Sequence, residues 1–317
     1  MRGVRRVRVP LYVSLDYDIA LAGSLGTHAF MPTSSLFTGA SMTDVSERYG
    51  RFEWLLFDRP APHVLRMTLN NPTQMNAMTR GMKEEIHSVW REIDNDPETR
   101  VTIVTGSGRA FCAGGAFDAM PDTSRGERNA RFCYDFNDAR ELVTELVNTR
   151  KPIVSAINGP AIGAGLAVAL LADISIAGRT ARLLDGHLRI GVTPGDHALI
   201  IWPLLCGLAK AKYLLMGNVT VSGEEAAAMN LISLAVDDDQ LQAKALAVAE
   251  GLARTAPTAL RMTKYLLNSF LRRNQDIFDL SAAFEMVNFG SDENVEALRA
   301  YTAKDTPRFG IGSSEFK

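Results

Sequence analysis

The chain has 317 residues, a formal net charge of −2 and 46% hydrophobic residues, the balance of an enzyme-sized globular protein with one large domain or one domain and a small addition. Near-neutral charge argues against nucleic acid as a partner. No apolar run reaches the roughly 18 residues of a membrane span, since the longest, Ile162 to Ile176, is broken by Asp173. The three cysteines, Cys112, Cys133 and Cys206, lack metal-ligand spacing and read as reduced thiols of a cytoplasmic protein.

Residues 1–41 stand apart. Arg2, Arg5, Arg6 and Arg8 give a basic start, and a Gly/Ser/Thr-rich stretch follows to Ser41. This segment reads as a disordered extension ahead of Met42, with an arginine-rich organelle transit peptide as the alternative. Val64–Leu69 alternates as a strand does, and Arg80 to Ile93 carries Met82, Ile86, Val89, Trp90 and Ile93 at helical spacing. Val101 to Thr105 is a β-branched run closed by Gly-Ser-Gly, a buried strand and its turn. A helix from Ala130 to Asn148, a strand from Ile153 to Ile157, an apolar helix from Ala164 to Leu171 and a strand from Ile174 to Ala177 continue a β/α alternation. After Pro194 the spacing predicts helices at 198–206, 209–216, 224–229, 241–256, 258–273, 280–289 and 294–303, with Ser222 and Glu225 forming a capping box. The predicted organisation is an extension (1–41), a β/α core (42–215) and a helical region (216–317).

Two glycine turns follow predicted strands: Gly108-Arg-Ala-Phe-Cys-Ala-Gly-Gly115, and Asn158-Gly-Pro-Ala-Ile-Gly-Ala-Gly165, which opens a helix. Such turns free backbone N–H groups to face a ligand, and a helix start adds its positive dipole end. Two of them facing each other would stabilise negative charge on a carbonyl oxygen. Each alone also fits plain strand-to-helix geometry. The third feature is the stretch from Asp185 to Asp196, whose glycines and proline predict a loop able to bring Asp196 to His187. A carboxylate on an imidazole fixes its tautomer and keeps it basic. A solvated loop carries the same residue pair, so the surrounding motifs matter.

Those motifs resemble the crotonase (enoyl-CoA hydratase/isomerase) superfamily. Leu69-Asn-Asn-Pro72 and Asn76-Ala-Met78 come first, then Val101–Gly106 leading into Ala110-Phe-Cys-Ala-Gly-Gly115. Lys151–Pro160, Gly191-Val-Thr-Pro194, Lys210–Gly217, Val221–Ala226 and Ala259–Lys264 follow in family order, from about residue 50 to 310. The resemblance implies an α/β fold, a crotonase-like spiral of ββα repeats, with a helical C-terminal trimerisation region and assembly as a homotrimer or hexamer. It implies an acyl-CoA or related carbonyl substrate and an enolate held by the amides of Cys112 and Ala164. Ala110, Gly114, Met78 and Ala167 would line the substrate, with Lys264, Tyr301 and Lys304 near coenzyme A. No metal or redox cofactor is expected, coenzyme A entering only as part of the substrate.

Three departures bear on chemistry. The family's usual aspartate after the first glycine turn is Ala116, with Asp118 two positions on. The two glutamates of hydratases fall on Ala167 and His187, so hydration by that route is not expected. The loop instead resembles the oxocamphor hydrolase type of β-diketone hydrolase, through Asp185, Gly186, His187, Pro194, Gly195, Asp196, Trp202 and Pro203. That branch's second histidine falls at Ala164 and is absent, its active-site aromatic falls near Met78, and a C-terminal glutamate falls loosely on Glu285. His187 and Asp196 are therefore the expected catalytic pair, for C–C bond hydrolysis of an acyl-CoA or β-diketone. Hydration or isomerisation through His187 and a non-catalytic acyl-CoA-binding scaffold are the alternatives. His197 reads as structural or as part of a pocket rim, His28, His63 and His87 as surface or edge groups, and Asp173 as structural.

Overall fold

In the computed structural model, the backbone is described for residues 45–116 and 125–310, and the side chains for all of these but 125–135. The expectations placed on residues 1–41, His28, Asp118 and the Cys133 side chain lie outside the described residues. α1 (Val45–Tyr49) leads into an antiparallel pair, β1 (Leu55–Ala61) and β2 (Val64–Leu69). Then α2 (Arg80–Asn95) crosses to β3 (Val101–Gly106), and α3 (Arg125–Asn148) to β4 (Ile153–Ile157). After the short β5 (Ala161–Ile162), α4 (Ala164–Leu170) crosses to β6 (Ile174–Gly178). β7 (Arg182–Leu184), a 3-10 turn at His187–Ile190, α5 (Ala198–Cys206), α6 (Leu208–Met216), β8 (Val221–Ser222), α7 (Gly223–Ala228) and β9 (Leu234–Val236) come next. The remainder is helical: α8 (Leu241–Ala253), α9 (Pro257–Leu267), α10 (Ser269–Arg272), α11 (Gln275–Asn288) and α12 (Asp292–Ala303).

Six strands form one sheet in the order β1-β2-β3-β4-β6-β9, parallel throughout except for β1. β5, β7 and β8 form a small second sheet. Parallel strands covered on both faces are apolar without interruption, and β3 and β4 are buried along their whole length. Alternate side chains enter different cores. Val101, Ile103, Val154 and Ala156 meet the Leu241, Ala245, Ala249 and Ala253 stripe of α8. Val104, Ile153 and Ile157 face the larger core with α2, α3, α4 and α5.

The structure departs from the expected elements in local ways. β1 carries Pro60, which a strand tolerates at a sheet edge, and its sequence shows no alternation. The predicted helix 258–273 is two helices separated at Asn268, whose side chain donates to the Val147 carbonyl (2.8 Å). Within the predicted loop 185–196, residues 187–190 wind into the 3-10 turn. The core also starts before residue 50, because Tyr49 is buried and its hydroxyl donates to Asp96 (2.9 Å). Met42–Lys317 is one compact unit, so the helices after residue 215 share a body with the β/α core. α11 packs on α3 and α5, and α12 on the 187–190 turn.

Candidate active site

The carboxyl ends of β3 and β4 bring the two glycine turns together, where parallel α/β sheets place their ligands. Two asparagines tie the turns. The Asn76 amide donates to the carbonyls of Ser107, Ala110 and Phe111, and that of Asn158 to Gly106 and Gly108, at 2.9 to 3.2 Å. Cys112 bridges to Ala161, and Met78 bridges to Gly115.

These bridges decide which amides are free. The Cys112 N–H donates to the Pro160 carbonyl (3.0 Å), which removes it from the expected anion-stabilising pair. Its thiol is buried, donates to Asn76 O (2.9 Å) and is pushed up to about 12 by burial. The bridge at Met78 uses the flanking groups of Gly115: Gly114 O accepts from Met78 N (2.8 Å), and Ala116 N donates to Met78 O (3.1 Å). A parallel bridge of this kind turns the central residue's own N–H the other way. Gly115 is exposed, and a Cβ built on it would meet nothing within 4 Å. Ala164 is the first residue of α4, where no intrahelical acceptor exists. Among the described residues, neither the Gly115 nor the Ala164 N–H has an acceptor. The N–H groups of Gly115 and Ala164, and not that of Cys112, are thus left without an acceptor among the described residues.

Both glycine-turn amides border a cavity of about 230 Å³. Gly114 and Gly163 join them on one wall, and Asp185, His187 and Asp196 form another. Met286, Phe289 and Tyr301 enter from α11 and α12, and Lys83, His87, Asp138 and Leu142 from α2 and α3. His87, expected as a surface or edge group, is half-buried and shares Asp138 with Lys83, whose Nζ lies 2.6 Å from that carboxylate. Burial pushes the His87 imidazole down, against the opposing pull of Asp138 and Glu141.

Several expected lining residues lie elsewhere. Ala110 and Met78 are fully buried and shape the turn, not the cavity. Ala167 is buried one turn into α4, with its N–H on Gly163 O (3.0 Å). Lys264 is buried and bonded to Asp173 (2.7 Å) and to the Lys151 carbonyl (2.9 Å), a strut that also accounts for Asp173. Lys304 ends α12 in an exposed left-handed turn. Geometry thus leaves Tyr301 and Gly114, not Ala110, Met78, Ala167, Lys264 or Lys304, on the cavity wall.

Gly186 (φ 86°) and Gly191 (φ 73°) bracket the 3-10 turn in the left-handed region and so set where His187 points. The residue holding its ring is Asp185, not Asp196. Asp185 Oδ1 lies 3.1 Å from Nδ1, and Oδ2 accepts the His187 backbone N–H (3.3 Å). Nε2 then faces Glu285 Oε1 at 3.5 Å, the outer limit of a hydrogen bond, and Asp196 Oδ2 at 3.7 Å, beyond it. Asp196 Oδ1 is instead bonded to His197 Nδ1 (2.5 Å). All five side chains are buried. Burial pushes the His187 imidazole down, but Asp185, Asp196 and the contact with Glu285 outweigh it and hold the ring well above its ordinary range. Burial pushes the Asp196 carboxyl up, yet His187 and His197 hold it well below the carboxylate range. Glu285 is pushed up by burial, only partly opposed by His187. Asp185, His187 and Asp196 also offer ligand atoms within 4.8 Å of one another, a spacing a cation would need, though here Nδ1 and Asp185 are engaged with each other.

Residues 61–311 match the enoyl-CoA hydratase/isomerase family. The chain belongs to this family. It is therefore an enzyme of the hydratase/isomerase, or crotonase, type with the crotonase fold. It is 31% identical over 254 residues to the 1,2-epoxyphenylacetyl-CoA isomerase of Escherichia coli K12, covering 78% of this chain and 94% of that one. A probable enoyl-CoA hydratase of Mycobacterium leprae is 30% identical over 217 residues, covering 67% and 74%. A crystal structure of an enoyl-CoA hydratase/isomerase from Mycobacterium paratuberculosis superposes with a TM-score of 0.71 at 28% identity, covering 78% of this chain and 97% of that one. No helix among the described residues is long and apolar enough to cross a membrane.

In the sequence, Asp185 stands out only as part of the 185–203 motif. The signal for its role was present: an aspartate two residues before His187, across a glycine, folds back on the N–H two positions on. For Lys83, His87 and Asp138 the sequence held no such signal.

Proposed function

We propose that this crotonase-family enzyme hydrolyses a C–C bond in an acyl-CoA thioester or β-dicarbonyl compound, with His187 as the proton-transfer group and the amides of Gly115 and Ala164 as the anion-stabilising pair. The observation that carries the reading is His187 on the cavity wall, its Nδ1 held by Asp185 at 3.1 Å and its Nε2 approached by Glu285 Oε1 only at 3.5 Å and by Asp196 Oδ2 at 3.7 Å. Neutral His187 takes a proton from water through Nε2 as the water oxygen bonds to one carbonyl carbon. The adduct collapses, the bond to the α-carbon breaks, and its electron pair passes into an enolate. The Gly115 and Ala164 N–H groups receive the developing oxyanion. The imidazolium, stabilised by Asp185, returns its proton to the α-carbon. Water has then been added across the C–C bond. This chemistry matches the resemblance of the 185–203 segment to β-diketone hydrolases.

A second reading is a proton shift along an acyl-CoA, removing a proton from one carbon and returning it to another. It is favoured by Ala167, which leaves no second carboxylate on α4, and by relatives named as isomerases or hydratases. Acetoacetyl-CoA and cyclohexane-1,3-dione, assayed beside 2-enoyl-CoA and 3-enoyl-CoA, separate the readings by product. Under either, His187→Ala lowers turnover about 100-fold or more. Full activity in that variant would remove His187 from the chemistry. Turnover of the enoyl thioesters alone would replace hydrolysis by the proton shift.

A further inference from the structure

We infer that His197 is a positioning residue, whose short bond to Asp196 keeps that carboxylate from closing on His187. The inference rests on the reading of His187 as the proton-transfer group. Asp196 stands between two imidazoles and gives one oxygen to each. Oδ1 is 2.5 Å from His197 Nδ1, whereas Oδ2 stops 3.7 Å from His187 Nε2. An unrestrained carboxylate beside an imidazolium closes to about 2.8 Å. In a buried site, where attraction is strong, the open contact needs a restraint, and the anchored Oδ1 supplies it. Were Asp196 to swing over, Nε2 would be tied up in an ion pair and lost to water or substrate.

The surroundings of His197 point the same way. Its ring is fully buried at the start of α5, edge-on to Trp202 with centroids 6.1 Å apart. It makes no capping bond to the helix. Its Nε2 has no hydrogen-bond partner, so the bond to Asp196 is the ring's one hydrogen bond among the described residues. As a filler of space, a buried imidazole with an unpaired nitrogen is a poor choice, because an apolar side chain fills the volume without that loss. The bond also sets the tautomer. Donation from Nδ1 leaves Nε2 as an unpaired acceptor, which burial tolerates better than an unpaired N–H. The side chain therefore fixes a torsion of Asp196 and so holds that carboxylate off His187 Nε2.

Two variants and one spectrum test this. His197→Leu removes the donor, and His197→Asn places an amide N–H close to where Nδ1–H lay. Activity is measured with acetoacetyl-CoA and cyclohexane-1,3-dione, with His187→Ala alongside. His197→Leu is expected to lose about 100-fold in kcat, the scale of a misplaced reacting group, with KM changed by less than about threefold. His197→Asn is expected to recover most of that loss. Equal activity of His197→Leu and wild type, or His197→Asn no better than His197→Leu, would overturn the inference. Because the leucine variant could fail to fold, 15N-histidine NMR of the wild-type protein supplies an independent arm. His197 is expected as the Nδ1–H tautomer, and an Nε2–H tautomer would overturn the inference without any variant. If neither compound is turned over, or His187→Ala remains fully active, the proposed reaction fails instead, while the tautomer still decides whether His197 anchors Asp196.

Discussion

Replacing Asp185 by asparagine tests the site at its best-defined contact. Both carboxylate oxygens accept donors from the same residue, Oδ1 from the Nδ1 side of the His187 ring (3.1 Å) and Oδ2 from the His187 backbone (3.3 Å). An amide has only one acceptor. If its oxygen stays on the backbone N–H, its NH2 faces Nδ1, which must become a lone pair, and the ring proton moves to Nε2. The nitrogen facing the cavity then cannot take a proton. If the amide turns over, two donors collide at the backbone. The charge is also lost: at 3.1 Å and an effective dielectric of about 20, Asp185 and an imidazolium attract by about 5 kcal/mol. A wrong tautomer has a cost of about 10⁴-fold and loss of a general base at least 10²-fold, so kcat should fall by about 10² to 10⁴. The pH profile carries a second signature. A base works when neutral, so wild-type activity should rise with pH along a limb displaced to the alkaline side of 6.5, as the raised His187 requires. Asp185→Asn weakens the imidazolium and should move that limb toward acid while lowering its plateau. Steady-state kinetics from pH 5 to 10 reads both. An unchanged plateau and an unmoved limb would show that Asp185 does not hold the ring during turnover.

Gly195→Ala would set a methyl 2.2 Å from Glu285 Oε2 and 2.5 Å from its Cβ, so overpacking should destabilise the fold by about 1–3 kcal/mol and displace Glu285; a thermal melt unchanged from wild type would refute this. Lys264→Met removes the bond to Asp173 (2.7 Å) from a buried ammonium, which should destabilise by about 3 kcal/mol yet leave the KM for any CoA thioester unchanged, and a large rise in KM would restore Lys264 to the binding role that the family resemblance implied. Met262, Leu266, Leu267 and Phe270 are more than half exposed, an apolar surface larger than scattered exposure explains; sedimentation at micromolar concentration is expected to show a trimer or hexamer, and a monomer would contradict it.

Local periodicity and turn chemistry in the sequence determined the β/α alternation, the glycine turns and the helical C-terminal stretch, because each depends on neighbours a few residues away. Val101–Thr105 could only be a buried strand, and Ser222 with Glu225 did form the capping box. The loop carrying His187 was legible from its glycines and its proline. What the tertiary structure decided was the partner of each group. Cys112 and Gly115 lie three residues apart in one turn, and only the bridges to Ala161 and Met78 determine which N–H is consumed and which faces the cavity. Spacing brought Asp196 to His187, but the left-handed Gly186 folded Asp185 onto the ring first, and His197 took Oδ1 of Asp196. Glu285 reaches the ring because α11, nearly a hundred residues further along the chain, packs over the 193–196 loop, where Asn288 receives Thr193 (2.6 Å) and Ser281 reaches the Gly195 carbonyl (3.5 Å). Hydrogen bonds end at short range and in fixed directions, so which donor finds which acceptor is settled by packing between distant segments and not by their order along the chain.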